Sequence, residues 1–217
     1  MKKPLVVAVS GYSGSGKSTL INGLVKSLPS SLPLFFDDYA SKRDFPKDIG
    51  SWIAEGGDPS DIKTPLLREH LIGLINRRPI QLVKSSGWAE EYGVTKKSQV
   101  VELMPADYIL LEEPFGKLRP EMRDLIDLVI YMDLSLEVAL GRRIHDLIKH
   151  LKNDPEVLIN LLDHFLLDYL YGGVREMYKL NGYKVMKDSD FVIDANAELV
   201  DNVLLVINEI TKAYKNM

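Results

Sequence analysis

The sequence predicts a three-layer α/β fold, a five-stranded parallel sheet flanked by helices, and three observations predict it. Apolar, β-branched runs alternate along the chain with stretches of helical spacing, the pattern of a parallel sheet wrapped by crossover helices. The first run, Leu5-Val6-Val7-Ala8-Val9, is apolar at every position, as a strand buried on both faces requires. Later runs end in acid at Glu112, Asp133 and Asp194. In open sheets of this kind the carboxyl strand ends are where ligands sit.

Each element follows from local pattern. Met1-Lys2-Lys3 ahead of Leu5 faintly imitates a leader, but the apolar core is too short and runs straight into a glycine-rich turn, so it reads as a strand. Thr19 to Val25 has helical spacing, with Leu20, Ile21, Leu24 and Val25 on one side. Leu32 to Phe36 reads as a second strand ending at Asp37-Asp38, and a polar segment from Ser41 to Asp61 follows, long enough to be functional. Thr64-Pro65 opens a helix as cap and first-turn proline. Ile80 to Val83 is a short strand and Trp88 to Ser98 an irregular stretch. Asp107 to Glu112 and Leu128 to Asp133 are buried strands. A helix runs from Ser135 through Arg142-Arg143, and a helical segment from Asp154-Pro155 to about Lys179. Phe191 to Asp194 is the last strand and Leu199 to Tyr214 the closing helix. Residues 1–217 form one domain, with a small lid near 142–155.

Composition narrows the function. A net charge of −4 without a long basic run gives no electrostatic support for nucleic-acid or membrane-surface binding. With no cysteine there is no disulfide or thiolate metal site, which suits a reducing cytosol and a cytoplasmic protein. No segment has the length of a transmembrane helix. The histidines lack metal-ligand spacing; His145 and His150 lie five apart, off a common helix face.

The most specific signal is Gly11-Tyr12-Ser13-Gly14-Ser15-Gly16-Lys17-Ser18, a complete phosphate-binding loop between a strand and a helix. Glycines let the backbone curl so that successive N–H groups point inward, and the helix N-terminus adds its positive dipole end. Gly11, Ser13, Gly14, Ser15, Gly16, Lys17, Ser18 and Thr19 therefore form the nucleotide site. Lys17 reaches the β- and γ-phosphates, and the Ser18 hydroxyl ligates Mg²⁺. ATP and Mg²⁺ are the expected ligands.

Three kinds of nucleotide enzyme compete. A GTPase carries an Asn-Lys-x-Asp motif after a late strand, and none occurs. Motor and transporter ATPases carry further signatures that are also missing. A small-molecule kinase needs a base beside the acceptor hydroxyl and cations that follow the migrating phosphoryl. Asp37 and the Arg142-Arg143 pair supply both.

The loop at 11–19, Phe36-Asp37-Asp38-Tyr39, Ala106 to Glu112, Arg123 to Leu128, Met132-Asp133 and Leu140 to Ile144 together resemble the uridine kinase family of P-loop kinases, whose relatives include nicotinamide riboside kinases, phosphoribulokinases and bacterial pantothenate kinases. The resemblance covers most of the chain in order, and only the phosphate loop is diagnostic by itself. It implies a P-loop kinase fold with a small lid and transfer of the γ-phosphoryl of ATP to a hydroxyl of a small metabolite, foremost a nucleoside or riboside. Asp37 matches the general base, Glu112 the acid that helps hold Mg²⁺, and Arg143 a lid arginine that approaches the phosphates. Asp58, shifted by one residue, matches an acid that grips sugar hydroxyls.

The departures concern the acceptor. Glu-Gly after the central strand is here Glu112-Glu113-Pro114. Where nucleoside kinases carry Tyr and His for the base, this chain has Tyr92 and then Lys96-Lys97, so plain uridine is expected to be a poor acceptor. Asp146 stands where a second lid arginine belongs, with Lys149, His150 and Lys152 nearby. Trp52 and Trp88 suit either stacking on a ring or burial against the sheet. The apolar stretch Leu158 to Leu170 suits core or a contact between copies of the chain, which leaves a homo-oligomer open. Two alternatives remain: a nucleotide-binding regulatory protein that has lost transfer, and a kinase for pantothenate-like or sugar-phosphate acceptors.

Overall fold

The computed structural model describes residues 2–84 and 99–216. The first half of the chain forms β1 (Leu5–Ser10), α1 (Lys17–Ser27), β2 (Ser31–Leu34), α2 (Ile49–Ala54), α3 (Pro65–Ile75), β3 (Ile80–Lys84) and β4 (Gln99–Leu103). The second forms β5 (Tyr108–Glu112), α4 (Pro120–Arg123), β6 (Leu128–Asp133), α5 (Leu136–Leu151), α6 (Pro155–Leu170), α7 (Val174–Asp188), β7 (Phe191–Asp194) and α8 (Leu199–Asn216).

Five strands join in the order β2-β5-β1-β6-β7, and every pair is parallel. The order reverses at β1, whose C-terminal end feeds the phosphate loop, so the topological switch point and the loop coincide. Because side chains alternate along a strand, β1 supplies both faces: Val6 and Ala8 join one core, Leu5, Val7 and Val9 the other. The first core is closed by Trp52, by Leu67, Leu71 and Leu74 of α3, and by Met177 of α7. The second is closed by Leu20, Ile21 and Leu24 of α1 and by Val203, Val206 and Ile210 of α8. These are the three layers that the sequence predicts.

Four details differ from the sequence pattern. The second strand stops at Leu34, and Phe36–Asp38 turn as a 3-10 helix. Pro33 is tolerated inside β2 because that strand lies at the edge of the sheet. The short strand at Ile80 does not enter the parallel sheet; it pairs antiparallel with Gln99–Leu103, a strand that weak apolar alternation hides. Helix α5 does not end near Arg143 but continues to Leu151, so residues 142–151 of the expected lid are helical and lead through a turn into α6. The long helical segment after Pro155 is broken between Leu170 and Val174. There Gly173 has φ +85°, and a Cβ on it would meet the Gly50 backbone at the start of α2.

Candidate functional site

The turn between β1 and α1 has the backbone its glycines allow. Gly11, Gly14 and Gly16 all have positive φ, and a Cβ on Gly14 would collide with the Ala139 carbonyl of α5. A second helix therefore rests directly on the loop. Tyr12, which fills a variable position of the motif, stands edge-on to Tyr131 with ring centroids 6.4 Å apart and is stacked, tilted, at 5.8 Å from Tyr178. Gly182 makes room for it, since a Cβ there would strike the Tyr12 ring. Sequence spacing gave no sign that α7 braces the loop in this way.

Three polar groups meet at the loop's exit. Lys17 Nζ donates to the Tyr12 carbonyl at 2.9 Å and lies 3.5 Å from Glu112 Oε1. Ser18 Oγ donates to the other oxygen, Glu112 Oε2, at 3.2 Å. The register of β1 on β5 places Val9 opposite Glu112, which delivers the carboxylate to the start of α1. Lys17 and Glu112 are both buried, whereas Ser18 and Thr19, in the first turn of α1, face solvent. The Ser15 hydroxyl is buried without a partner among the described residues. A curled, amide-lined loop with an unspent hydroxyl and an ammonium at its mouth fits a triphosphate. A serine hydroxyl beside a carboxylate is an oxygen donor pair that fits Mg²⁺. Among the described residues no group of three or more His, Asp or Glu offers a separate metal cage.

Asp37 lies in the 3-10 turn beyond β2, exposed and on the wall of a cleft of about 1680 Å³ that Lys17, Glu112 and Arg143 also line. That volume exceeds the roughly 300–1,000 Å³ of a pocket for one small ligand, and it has room for a nucleotide and an acceptor. The turn is anchored from behind. The Tyr39 hydroxyl meets His70 Nδ1 of α3 at 3.0 Å, and Phe36 is buried against Phe45 and Phe115. Asp38 does not line this cleft. It is half-buried, and burial pushes its carboxyl up while Lys84 pulls it down.

The adjacent arginines part company. Arg142 Nη1 donates to the Ala195 carbonyl after β7 at 3.0 Å, whereas Arg143 turns to the cleft beside Ser13 and Tyr178. Burial pushes the Tyr178 phenol up to about 12, with Arg143 and a hydrogen bond from Ser13 opposing, so it stays protonated. Asp146 and His150, one and two turns on, line the same cleft.

Two acids that stand out in the sequence lie apart from the cleft lining. Asp58 is not among the residues lining the cleft; it is exposed, and its carboxylate caps the 3-10 turn at Pro59–Asp61 by accepting from the Ser60 amide at 2.8 Å. That bond also holds its carboxyl below the usual range. Glu113, next to Glu112, is likewise absent from the cleft lining. It is fully buried against Arg119, which also donates to the Ile62 carbonyl and to Thr64 Oγ1. Thr64 consequently makes no side-chain cap on α3. Trp52 is buried in α2, its Nε1 donating to Asp61 at 2.9 Å. Tyr92, Trp88 and Lys96-Lys97 lie outside the described residues.

None of the protein-family models compared with the chain matches it. Among curated proteins, a uridine kinase of Alkaliphilus metalliredigens is 30% identical over 146 residues, 66% of this chain and 68% of that protein. This chain belongs to the uridine kinase family. A uridine kinase of Clostridium novyi is 26% identical over 224 residues, spanning 99% of this chain and 100% of its own, so the family likeness runs end to end. The fold agrees: a solved structure described as a possible uridine kinase from Bacillus stearothermophilus superposes with a TM-score of 0.54 at 19% identity, covering 89% of this chain and 90% of that one. As a member of this family the chain is an ATP-dependent small-molecule kinase.

Proposed function

We propose that this kinase transfers the γ-phosphoryl group of ATP to a hydroxyl of a nucleoside or riboside, with Asp37 as the base. The observation that carries the reading is that Asp37, Lys17, Glu112 and Arg143, drawn from four separate segments, line one cleft. The loop amides, with Gly11, Ser13, Gly14, Ser15, Gly16 and Thr19, would hold the phosphates, and Lys17 would neutralise the β- and γ-oxygens. Ser18 and Glu112 would hold Mg²⁺, which supplies charge neutralisation across the β- and γ-phosphates. Asp37 takes the proton of the acceptor hydroxyl as its oxygen bonds to the γ-phosphorus. The bond from that phosphorus to the β–γ bridging oxygen breaks, and ADP keeps the electron pair. Arg143 neutralises charge on the moving group.

Residues 142–155, the end of α5 and the turn into α6, serve in this reading as a lid whose closure brings Arg143 onto the phosphates. The protein works in the cytoplasm, where ATP is available. Among the described residues no helix is long and apolar enough to cross a membrane. Leu167 and Leu170 of α6 are exposed and are the apolar surface from which a homo-oligomer would be built.

The test is ADP release with a panel of nucleosides, nicotinamide riboside, pantothenate and pentose phosphates. Turnover of a riboside supports the reading. Turnover only of pantothenate or a pentose phosphate redirects it to those acceptors, and nucleotide binding with no transfer at all favours a regulatory protein.

A further inference from the structure

Asn181 is 3% exposed, on the inner face of α7, and it lines the cleft that holds Asp37. Neither its Nδ2 nor its Oδ1 has a hydrogen-bond partner among the described residues. A carboxamide offers two donors and one acceptor in a plane, and burying both kinds of group unpaired is costly enough that native proteins rarely do so. Met177, one turn before it, and Gly182, beside it in sequence, line the same wall. A molecule that enters the cleft can supply the missing partners.

A second observation describes the shape of what enters. Phe36, Phe45 and Phe115 line the same cleft and form a ring cluster with centroids 6.1 to 6.3 Å apart. Aromatic faces of this kind favour a planar partner. The cluster adjoins Asp37, since Phe36 precedes it in the same turn, and so belongs to the acceptor side of the phosphate loop.

From these two features we infer that Asn181 determines acceptor specificity by pairing with a planar group that carries an N–H beside a C=O, the edge of a lactam base or a carboxamide. The Asn181 Oδ1 accepts from that N–H while Nδ2 donates to the carbonyl, and the phenylalanine cluster holds the plane. The inference rests on the reading of the cleft as a riboside kinase site. It supplies a base-reading group in a chain that lacks the Tyr and His pair expected of a nucleoside kinase.

The experiment measures steady-state kinetics of the unaltered chain and of Asn181→Leu, a variant of similar shape with no polar atom. Acceptors are uridine, 3-methyluridine, inosine, 1-methylinosine and nicotinamide riboside, and the ligand-free melting temperature is recorded for both proteins. The expected result is at least a tenfold loss of kcat/KM for the active acceptor in Asn181→Leu, with the KM for ATP unchanged. Where that acceptor is uridine or inosine, N-methylation costs the unaltered chain a similar factor and costs the variant little. The melting temperature stays level or rises, because the variant no longer buries an unpaired amide. Equal kcat/KM in both proteins overturns the inference, as does a rise confined to the KM for ATP. A lower melting temperature with unchanged kinetics also overturns it, because the amide then serves the fold. Should the unaltered chain phosphorylate none of these acceptors, it is the riboside reading that fails, and the inference falls with it.

Discussion

Glu113 and Arg119 meet at 2.5 Å between Oε2 and Nη2, and neither side chain reaches solvent. The pair ties the loop after β5 to residues 62–64, through the Arg119 bonds to the Ile62 carbonyl and Thr64 Oγ1 at 3.1 and 2.8 Å. It also fixes Phe115, whose amide donates to Glu113 Oε1 at 3.2 Å and whose ring lines the cleft. The charge next to Glu112 thus positions the cleft wall at Phe115 without entering it.

Removing one member of such a pair leaves a bare charge in the core. Arg119→Met should destabilise the protein by about 3–5 kcal/mol, and Arg119→Met with Glu113→Leu should recover much of the loss. Urea unfolding of the single and double variants measures both. A double variant no more stable than the single would show that the pair's hydrogen bonds, rather than its charges, matter most.

Lys17→Ala removes the ammonium that sits between the Tyr12 carbonyl and Glu112. Phosphoryl transfer should fall by roughly a hundredfold or more while circular dichroism stays native. Rates within a few fold of the unaltered chain would contradict the assignment of this loop to the γ-phosphate.

The two aspartates expected at the acceptor should separate cleanly. Asp37→Asn keeps size and hydrogen bonding but takes no proton, so kcat should drop by about a hundredfold or more with the KM for ATP unchanged. Asp58→Ala loses a turn cap outside the cleft, so it should lower stability slightly and leave the acceptor KM unchanged. A raised acceptor KM in Asp58→Ala would show that the carboxylate leaves its cap to bind sugar.

Chelation of divalent metal should abolish transfer. Ser18→Ala and Glu112→Gln should each raise the Mg²⁺ concentration for half-maximal rate by roughly tenfold or more, since each removes an oxygen donor or its support. Titration of rate against Mg²⁺ at fixed ATP reads this directly.

Burial holds His70 below its ordinary value of 6.5, with Glu69 opposing, where it anchors Tyr39 behind the Asp37 turn. Its folded pKa is the lower one, so the unfolded chain binds the proton more readily. This contribution to stability is complete above pH 6.5 and is lost as pH falls through the folded value. The drop in melting temperature between pH 7.5 and 5.5 should shrink in His70→Gln.

The sequence by itself determined the layer architecture, because runs such as Leu5 to Val9 and Tyr108 to Leu111 are apolar on both faces and nothing but a helix-covered parallel sheet buries them. It also determined the phosphate loop, since glycine positions, Lys17 and Ser18 act through local backbone geometry that a few consecutive residues encode. Asp37 and Glu112 were legible as acids at carboxyl strand ends. Only the tertiary structure decided which charges are free to act. Glu113 looks like a site acid in one dimension, yet folding buries it whole against Arg119. Asp58 is the exception, since ahead of Pro59 it caps its own turn through the Ser60 amide, a bond local enough to be written in the sequence. Arg142 and Arg143 are equivalent in sequence, and the approach of β7 to α5 engages the first and leaves the second in the cleft. Tyr178, Phe115 and Asn181 carry no motif, because a wall residue is defined by what the rest of the chain brings opposite it. The bonds of Arg119 to Thr64 and of Arg142 to Ala195, and the fit of Gly182 against Tyr12, join segments 53 to 170 residues apart that no local spacing records.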